Sequence, residues 1–246
     1  MATKALLLAG GLGTRLRPLT DHTPKCLVPI AGRPLLDYWF DAFAAADIID
    51  VLINTHHLPE KVRAYIQDKN TAGLFRSTEA YEPQLLGSAG TLHANRNFVS
   101  DGDTALIVYA DNLSNVDLRR FLKFHHLHGD PMTMLLFRAP NPEKCGIAQL
   151  DSNNRIVEFV EKPKAPSGNL ANAGIYALTS RAFHEMADMK RFDLGFDVLP
   201  SFVGRMRGWV WDGYHRDIGT PQALQEAEQV APRIFAGAAA ARHTAK

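Results

Sequence analysis

Cysteine is nearly absent: two residues, Cys26 and Cys145, in 246. Far apart in sequence, they give no disulfide framework and read as lone thiols of a reducing compartment. Net charge is scarce too. The chain carries 27 Lys and Arg against 26 Asp and Glu, a formal +1, which removes the electrostatic footprint expected of a nucleic-acid binder. No apolar run approaches the roughly 20 residues of a membrane span. The run Ala5 to Ala9 is too short for a signal-peptide core and is followed by glycines. A cytoplasmic protein without nucleic-acid or membrane partners is therefore expected. No internal repeat is found. The histidines His56-His57 and His125-His126-His128 lack accompanying cysteines and zinc-type spacing, so they read as solvated or capping side chains.

What the chain does hold is a 46% hydrophobic content, ordinary for a globular core, arranged in alternating periods. Lys4–Leu8, Asp50–Asn54 and Ala105–Tyr109 read as strands. Pro34–Ala46, Pro59–Asp68, Ser88–Asn95 and Asp117–His128 read as the helices between them. Pro34 and Pro59 suit a first helical turn, where a missing N–H costs nothing; Asn115 is placed to cap the helix near Asp117. Such alternation predicts an α/β fold: a Rossmann-like mixed, mostly parallel sheet with helices on both faces. Further on, Met132–Phe137, Ile147–Leu150, Ile156–Val160 and Gly174–Leu178 read as strands with few helices between them. Asp151-Ser152-Asn153-Asn154 fits a hairpin turn. This half is expected to extend the sheet and to form a smaller lobe over it. Helices are expected at Phe196–Val203 and Pro221–Val230. One domain over 1–235 and a small-residue, low-complexity tail over 236–246 follow.

The most informative stretch is Leu8-Ala9-Gly10-Gly11-Leu12-Gly13-Thr14-Arg15, followed by Pro24-Lys25. Glycines directly after a buried strand let backbone N–H groups approach a ligand closely. Fixed cations follow at Arg15 and Lys25. Strand, glycine turn and positive charge together suit a polyphosphate. A Walker loop needs Lys and Ser or Thr directly after its last glycine, and Thr14-Arg15 stand there. A dinucleotide fingerprint needs a further Gly or Ala three residues after Gly13, and Leu16 stands there. Asp111 follows the apolar strand ending at Tyr109, and the carboxyl ends of strands are where open α/β sheets bind ligands.

This pattern resembles the signature of sugar-1-phosphate nucleotidylyltransferases, and the likeness runs in order along the chain. Leu86-Gly87-Ser88-Ala89-Gly90 resembles the family's nucleotide-base loop, and Tyr109-Ala110-Asp111-Asn112 its metal-binding turn. Glu161-Lys162-Pro163 and Asn172-Ala173-Gly174-Ile175-Tyr176 resemble its sugar-phosphate region. Arg216-Asp217-Ile218-Gly219-Thr220 resembles its second metal site. The family reaction couples a nucleoside triphosphate to a sugar 1-phosphate and releases pyrophosphate. The resemblance implies a nucleotide site at Leu8, Ala9, Gly10, Gly11, Gly13, Thr14, Glu82, Gly87 and Ser88, and a sugar site at Gly146, Glu161, Lys162, Asn172 and Gly174. It implies catalytic roles for Arg15, Lys25, Asp111, Lys162 and Asp217, with Asp111 and Asp217 holding Mg²⁺. Cys145 departs from a family Tyr-Gly-Val segment while Gly146 retains its glycine. The additional C-terminal domain that some relatives carry is not expected. Homo-oligomerisation is left open.

The general look is similar to mannose- and heptose-1-phosphate guanylyltransferases, which favours GTP. In that reading the Glu82 carboxylate accepts from guanine's adjacent N1–H and amino group, whereas Gln84 is suited to a pyrimidine or adenine; dTTP, UTP and ATP remain alternatives. Two other classes are weighed. A glycosyltransferase would use a metal-binding Asp-x-Asp, which Asp101-Gly102-Asp103 matches in letters but ahead of a strand. A non-catalytic nucleotide-sugar sensor would be expected to lose Arg15, Lys25 or a metal carboxylate, and all are present.

Overall fold

The computed structural model describes residues 2–236, so the tail expected over 236–246 lies, from 237 onward, outside the described residues. In chain order the elements begin with β1 (Thr3–Leu8), a ribbon of β2 (Pro29–Ile30) and β3 (Arg33–Pro34), and α1 (Leu35–Ala45). There follow β4 (Asp50–Thr55), α2 (Pro59–Thr71), β5 (Arg76–Tyr81), α3 (Gly87–Ala94), β6 (Thr104–Tyr109), β7 (Asn112–Ser114) and α4 (Leu118–His128). The second half supplies β8 (Met132–Arg138), β9 (Gly146–Leu150), β10 (Ile156–Glu161), β11 (Leu170–Thr179) and α5 (Ser180–Asp188). It ends with β12 (Met206–Val210), β13 (His215–Asp217) and α6 (Pro221–Ile234).

The main sheet runs β10-β9-β11-β6-β1-β4-β5, with β8 also on β11 and β12 on β8. β6, β1, β4 and β5 are parallel neighbours; β11 joins β6 antiparallel, and β8, β9 and β10 continue antiparallel. The α/β class is as expected, mixed and covered on both faces. Strand side chains alternate between two cores, as the period of two dictates. Ala5, Leu7, Val51, Ile53, Leu106 and Val108 pack with α1, α2 and α4. Leu6, Leu52, Ala105 and Ile107 pack on the other face with α3 and α5. β1, β4 and β6 each carry an apolar run at their centre because both faces are buried there. The chain leaves β1 for β4 on one side and returns to β6 on the other, so the strand order reverses at β1. A crevice at its carboxyl end is the usual binding place in such sheets.

Several local expectations change. Pro34 does not open α1; it precedes the helix with extended backbone, ψ 139°. Asp117, not Asn115, caps α4 by accepting from Arg120 N at 2.9 Å. Asn115 Oδ1 accepts instead from Tyr214 N at 2.8 Å and Trp211 Nε1 at 3.2 Å. The helix expected at Phe196–Val203 is a π-turn, Leu194–Val198, followed by a 3₁₀ turn, Leu199–Phe202. Pro200, lacking an N–H and crowding the preceding turn, forbids a regular helix across that junction. β5, α5 and β12 escape the sequence reading. β5 is a polar edge strand, Arg-Ser-Thr-Glu-Ala-Tyr. α5 is short, although Thr179 caps it, its Oγ1 accepting from Ala182 N at 3.2 Å.

Candidate active site

Two cavities open side by side at the carboxyl ends of β1 and β6. The first, about 310 Å³, is lined by Leu8 to Gly11, Lys25, Asn54, Glu82, Leu85, Gly87, Ser88, Thr91 and Phe192, among others. The second, about 260 Å³, takes Gly146, Glu161, Lys162, Asn172, Gly174, Phe196, His215 and Asp217 into its wall. Tyr109 and Asp111 belong to both.

The floor of the first cavity is fixed by Asn54, the penultimate residue of β4. Its Oδ1 accepts from Ala9 N at 2.6 Å and Gly10 N at 3.2 Å. The Gly10 N–H, expected to face a phosphate, is therefore committed to Asn54. A Cβ at Gly10 would stand 2.9 Å from Asn54 Nδ2, so a side chain there would push the loop off its anchor. Asn54 Nδ2 donates to Glu82 Oε1 at 3.0 Å, and Thr91 Oγ1 donates to the same oxygen at 2.5 Å. Glu82 Oε2 accepts from Leu86 N at 3.2 Å. At 3% exposed, Glu82 is the hub joining the glycine loop to the loop before α3. This revises its expected role. With Oε1 already taking two donors, the carboxylate cannot receive guanine's two adjacent donors one on each oxygen without breaking the hub.

Gly13 adopts φ 63°, and a Cβ there would lie 2.9 Å from Thr20 Cγ2 and 3.2 Å from Lys25 Cβ. The bend turns the chain into the 3₁₀ turn Thr14–Leu16, which leaves Thr14 and Arg15 exposed; neither they nor Gly13 line either cavity. The neighbouring thiol of Cys26 is fully buried and pushed up to about 12 by that burial, hence inert.

Four of the five catalytic residues expected from the sequence, Arg15, Lys25, Asp111 and Asp217, converge at the seam between the cavities, while Lys162 lies in the second cavity. Lys25, only 6% exposed, places Nζ 2.6 Å from Asp111 Oδ2 and 3.1 Å from Asp217 Oδ1. Arg15 Nη2 is 3.6 Å from Asp217 Oδ2. The two carboxylates meet because β7 and β13 pair antiparallel, with Asp217 opposite Asn112, and because Ile218 N donates to Asp111 O at 2.9 Å. Arg216 does not neutralise Asp217; it pairs with Glu226 at 2.5 Å.

The second cavity is built from side chains. β11 carries an irregularity between Asn172 and Tyr176, where it pairs with β8. Gly174, at φ 68°, sits in that bend with the Tyr109 ring close against it. The bend re-aims the strand between the two cavities. Asn172 Nδ2 donates to Tyr176 Oη at 2.7 Å and its Oδ1 accepts from Gly174 N at 2.9 Å. One N–H and one lone pair of the amide are left for a ligand. Tyr176 itself is a core side chain. The Glu161 carboxylate lies against Gly146 and Gly195, positions where a Cβ would collide with it. Burial raises its pKa, and Lys162, with Nζ 4.0 Å from Oε1, partly offsets that. Lys162 adopts φ 48° and holds Nζ 5.4 Å from the Phe196 ring centroid. His215, on the same strand face as Asp217, packs against Phe137 with ring centroids 4.6 Å apart. Burial lowers its pKa to about 4, against the pull of Asp111, so its imidazole is neutral at pH 7.

Asn54 and Phe192 in the wall of the first cavity, and Asp193, Phe196 and His215 in that of the second, were missed by the sequence reading. Asn54 had a signal: a polar residue at the end of an apolar strand, the same logic that finds Asp111. The histidine pairs are structural. His56 Nδ1 lies 2.8 Å from Glu82 O, and His57 Nε2 2.7 Å from Thr20 O. His125 Nδ1 and His128 Nε2 meet Thr133 Oγ1 at 2.9 and 2.7 Å. No group of three or more His, Cys, Asp or Glu that could hold a metal occurs among the described residues. Asp103 precedes β6 and pairs with Lys4 at 3.8 Å, at the strand end opposite Asp111. Among the described residues no helix is long and apolar enough to cross a membrane.

A mannose-1-phosphate guanylyltransferase of Mycobacterium tuberculosis is 33% identical over 222 residues, covering 89% of this chain and 61% of that protein. Mannose-1-phosphate guanylyltransferase 1 of Arabidopsis thaliana is 32% identical over 224 residues, with 89% and 62% covered. The chain thus spans about three fifths of the length of these relatives. A Bacillus anthracis crystal structure, assigned as a glucose-1-phosphate thymidylyltransferase in complex with sucrose, superposes with a TM-score of 0.84 at 27% identity. It covers 94% of this chain and 96% of that one. The family model described as nucleotidyl transferase matches residues 4–233, which takes in every element described above but the first residue of β1 and the last of α6, and the chain belongs to that family.

Proposed function

We propose that this protein transfers a nucleotidyl group from GTP to a sugar 1-phosphate, giving a nucleoside-diphosphate sugar and pyrophosphate. The observation that carries the reading is the pair of cavities sharing Asp111, with Lys25, Asp217 and Arg15 gathered at the seam. The guanylyltransferase relatives support GTP and mannose 1-phosphate as the substrates.

In this reading the nucleotide fills the first cavity and the sugar phosphate the second. A phosphate oxygen of the sugar phosphate attacks the α-phosphorus in line, and the bond to the β-phosphate oxygen breaks. The nucleophile is already an anion, so no general base is required. The difficulty is charge, since phosphate esters carry about −1.5 to −2 each at neutral pH. Catalysis is mainly positioning and neutralisation. Gly11 and Gly13 direct their N–H groups to the triphosphate. Arg15, exposed beside Asp217, takes the departing pyrophosphate with its planar fork. Lys25 stands where the α-phosphate and the attacking phosphate meet. Lys162 holds the sugar phosphate from the far side, and Glu161 and Asn172 bind sugar hydroxyls. Asp111 and Asp217 fit Mg²⁺, which takes one or two carboxylates plus substrate oxygens; Lys25 Nζ already marks a point where a cation sits between them. When bound, the ion would withdraw charge from the α-phosphate.

The test is pyrophosphate release from a matrix of GTP, dTTP, UTP and ATP against hexose 1-phosphates. GTP with mannose 1-phosphate is expected to give the highest kcat/KM. No release from any pair would overturn the reaction. A better triphosphate than GTP would overturn only the base.

A further inference from the structure

We infer that Phe192 is the platform on which the nucleobase stacks in the first cavity, an inference that rests on the nucleotide reading of that cavity. Phe192 is 61% exposed, a large ring turned out of both cores, yet it lines the first cavity together with Leu8 and Leu85. Its backbone is not loose. Phe192 O accepts from Ala89 N at 3.0 Å, and Leu194 N donates to Ser88 Oγ at 2.8 Å. The segment is thereby tied at two points to the first turn of α3.

Gly87 explains how the ring reaches that place. It adopts φ 75°, and a Cβ there would stand 2.8 and 2.9 Å from two ring carbons of Phe192 and closer still to its carbonyl oxygen. The glycine therefore admits the ring as much as the turn. The remaining first-cavity residues divide by chemistry. Lys25 and Asp111, in mutual contact, suit phosphate and cation. Phe192, Leu85 and Gly87 offer an apolar, partly aromatic surface with no charge. Glu82, Asn54 and Thr91 form the polar floor between loops. A nucleoside triphosphate has one flat apolar-faced part, the base, and stacking on an aromatic side chain suits any base because each presents a π-face. Phe192 thus supplies affinity, while identity is left to edge contacts.

The experiment is a direct titration of GTP and of inorganic tripolyphosphate into the wild-type protein, Phe192→Ala, Phe192→Leu and Phe192→Tyr, with pyrophosphate release assayed in parallel. Loss of one stacked aromatic should weaken GTP binding and raise its KM roughly 5- to 150-fold in Phe192→Ala. ATP should weaken alike. Phe192→Tyr should stay within about threefold of wild type, Phe192→Leu should fall between, and tripolyphosphate affinity and the KM for sugar phosphate should not move. Phe192→Ala binding GTP as the wild type does would overturn the platform, and so would an equal loss for tripolyphosphate, which would mark a merely structural ring. If Phe192→Ala fails to fold, the Leu–Tyr pair decides in the same way. Wild-type protein that binds GTP in this pattern but releases no pyrophosphate would overturn the reaction and leave the platform standing. Wild-type protein that binds no nucleotide would overturn both.

Discussion

The two cavities share Tyr109 and Asp111 but are made in different ways. The first is mainly a backbone structure at the ends of parallel strands, with one contiguous loop, 8–13, held in shape by Asn54 and Glu82. The second is a side-chain structure on antiparallel strands, assembled from β9, β10, β11, the π-turn and β13. The difference follows from what each has to hold. A triphosphate offers the same repeating oxygens whatever the base, and backbone N–H groups serve it. A sugar offers hydroxyls whose directions distinguish one hexose from another, and only side chains can be varied to read them.

The comparison breaks most sharply at the seam, where Asp111 lines both cavities and Asp217 closes the second against it. Asp111→Asn and Asp217→Asn should each reduce turnover by at least about 100-fold, the scale for removing an electrostatic stabiliser of a transition state. Thermal unfolding should stay cooperative. Full activity of both variants in the presence of chelator would remove them from metal binding.

Next come the two ends of the site. Arg15→Ala should lower kcat far more than it weakens GTP binding, because charge grows on the leaving pyrophosphate. Lys162→Ala should raise the KM for the sugar phosphate by roughly 10- to 150-fold, the worth of one charge-assisted contact, and leave GTP affinity alone. Steady-state kinetics paired with GTP titration decides this, and exchanged phenotypes would mean that the cavities hold the opposite substrates.

Glu82 sharpens the contrast further. Glu82→Gln replaces one acceptor oxygen with an NH₂ that would face Asn54 Nδ2 or Leu86 N–H as donor to donor. The cost should be about 1–3 kcal/mol of stability, read in urea, with GTP, ATP, UTP and dTTP losing affinity together. A loss confined to GTP would restore Glu82 as the reader of guanine.

Much of the first cavity could be read directly from the sequence because its parts are local. A strand, three glycines and two cations within about twenty residues state their geometry through φ and charge. The convergence of Lys25, Asp111 and Asp217 could be anticipated only through family likeness, since it depends on the β7–β13 pairing, a short ribbon with no periodic signal. Phe192 and Phe196 were illegible for a further reason. Phe196 opens a stretch that reads as a helix, and the π-turn leaves it exposed, whereas Phe192 lies in the loop before that turn, where no periodic signal marks it. Asn54, by contrast, could have been found by applying to β4 the rule used for β6. The π-turn and β5 were lost because their signals, an irregular backbone and a polar edge, have no characteristic period.

The smallest effect lies away from both cavities and serves as their control. His125 is 3% exposed on α4 and is held neutral; burial, with His128 and His126 beside it, lowers its pKa to about 3 from an ordinary 6.5. Between those values the unfolded chain binds a proton that the folded chain refuses. Stability is therefore full above about pH 6.5 and declines as the pH falls, by at most about 1.4 kcal/mol per unit from this group. Urea unfolding at pH 7.5 and 5.5 should show the decline, and His125→Gln, which can still bond Thr133, should flatten it by up to about 1 kcal/mol over that interval. His128 and His215, also lowered, will leave a residual slope in the variant. Turnover at pH 7.5 should match the wild type, because His125 touches neither cavity. A loss of kcat in His125→Gln at unchanged stability would show that the α4 side of the sheet bears on the seam after all.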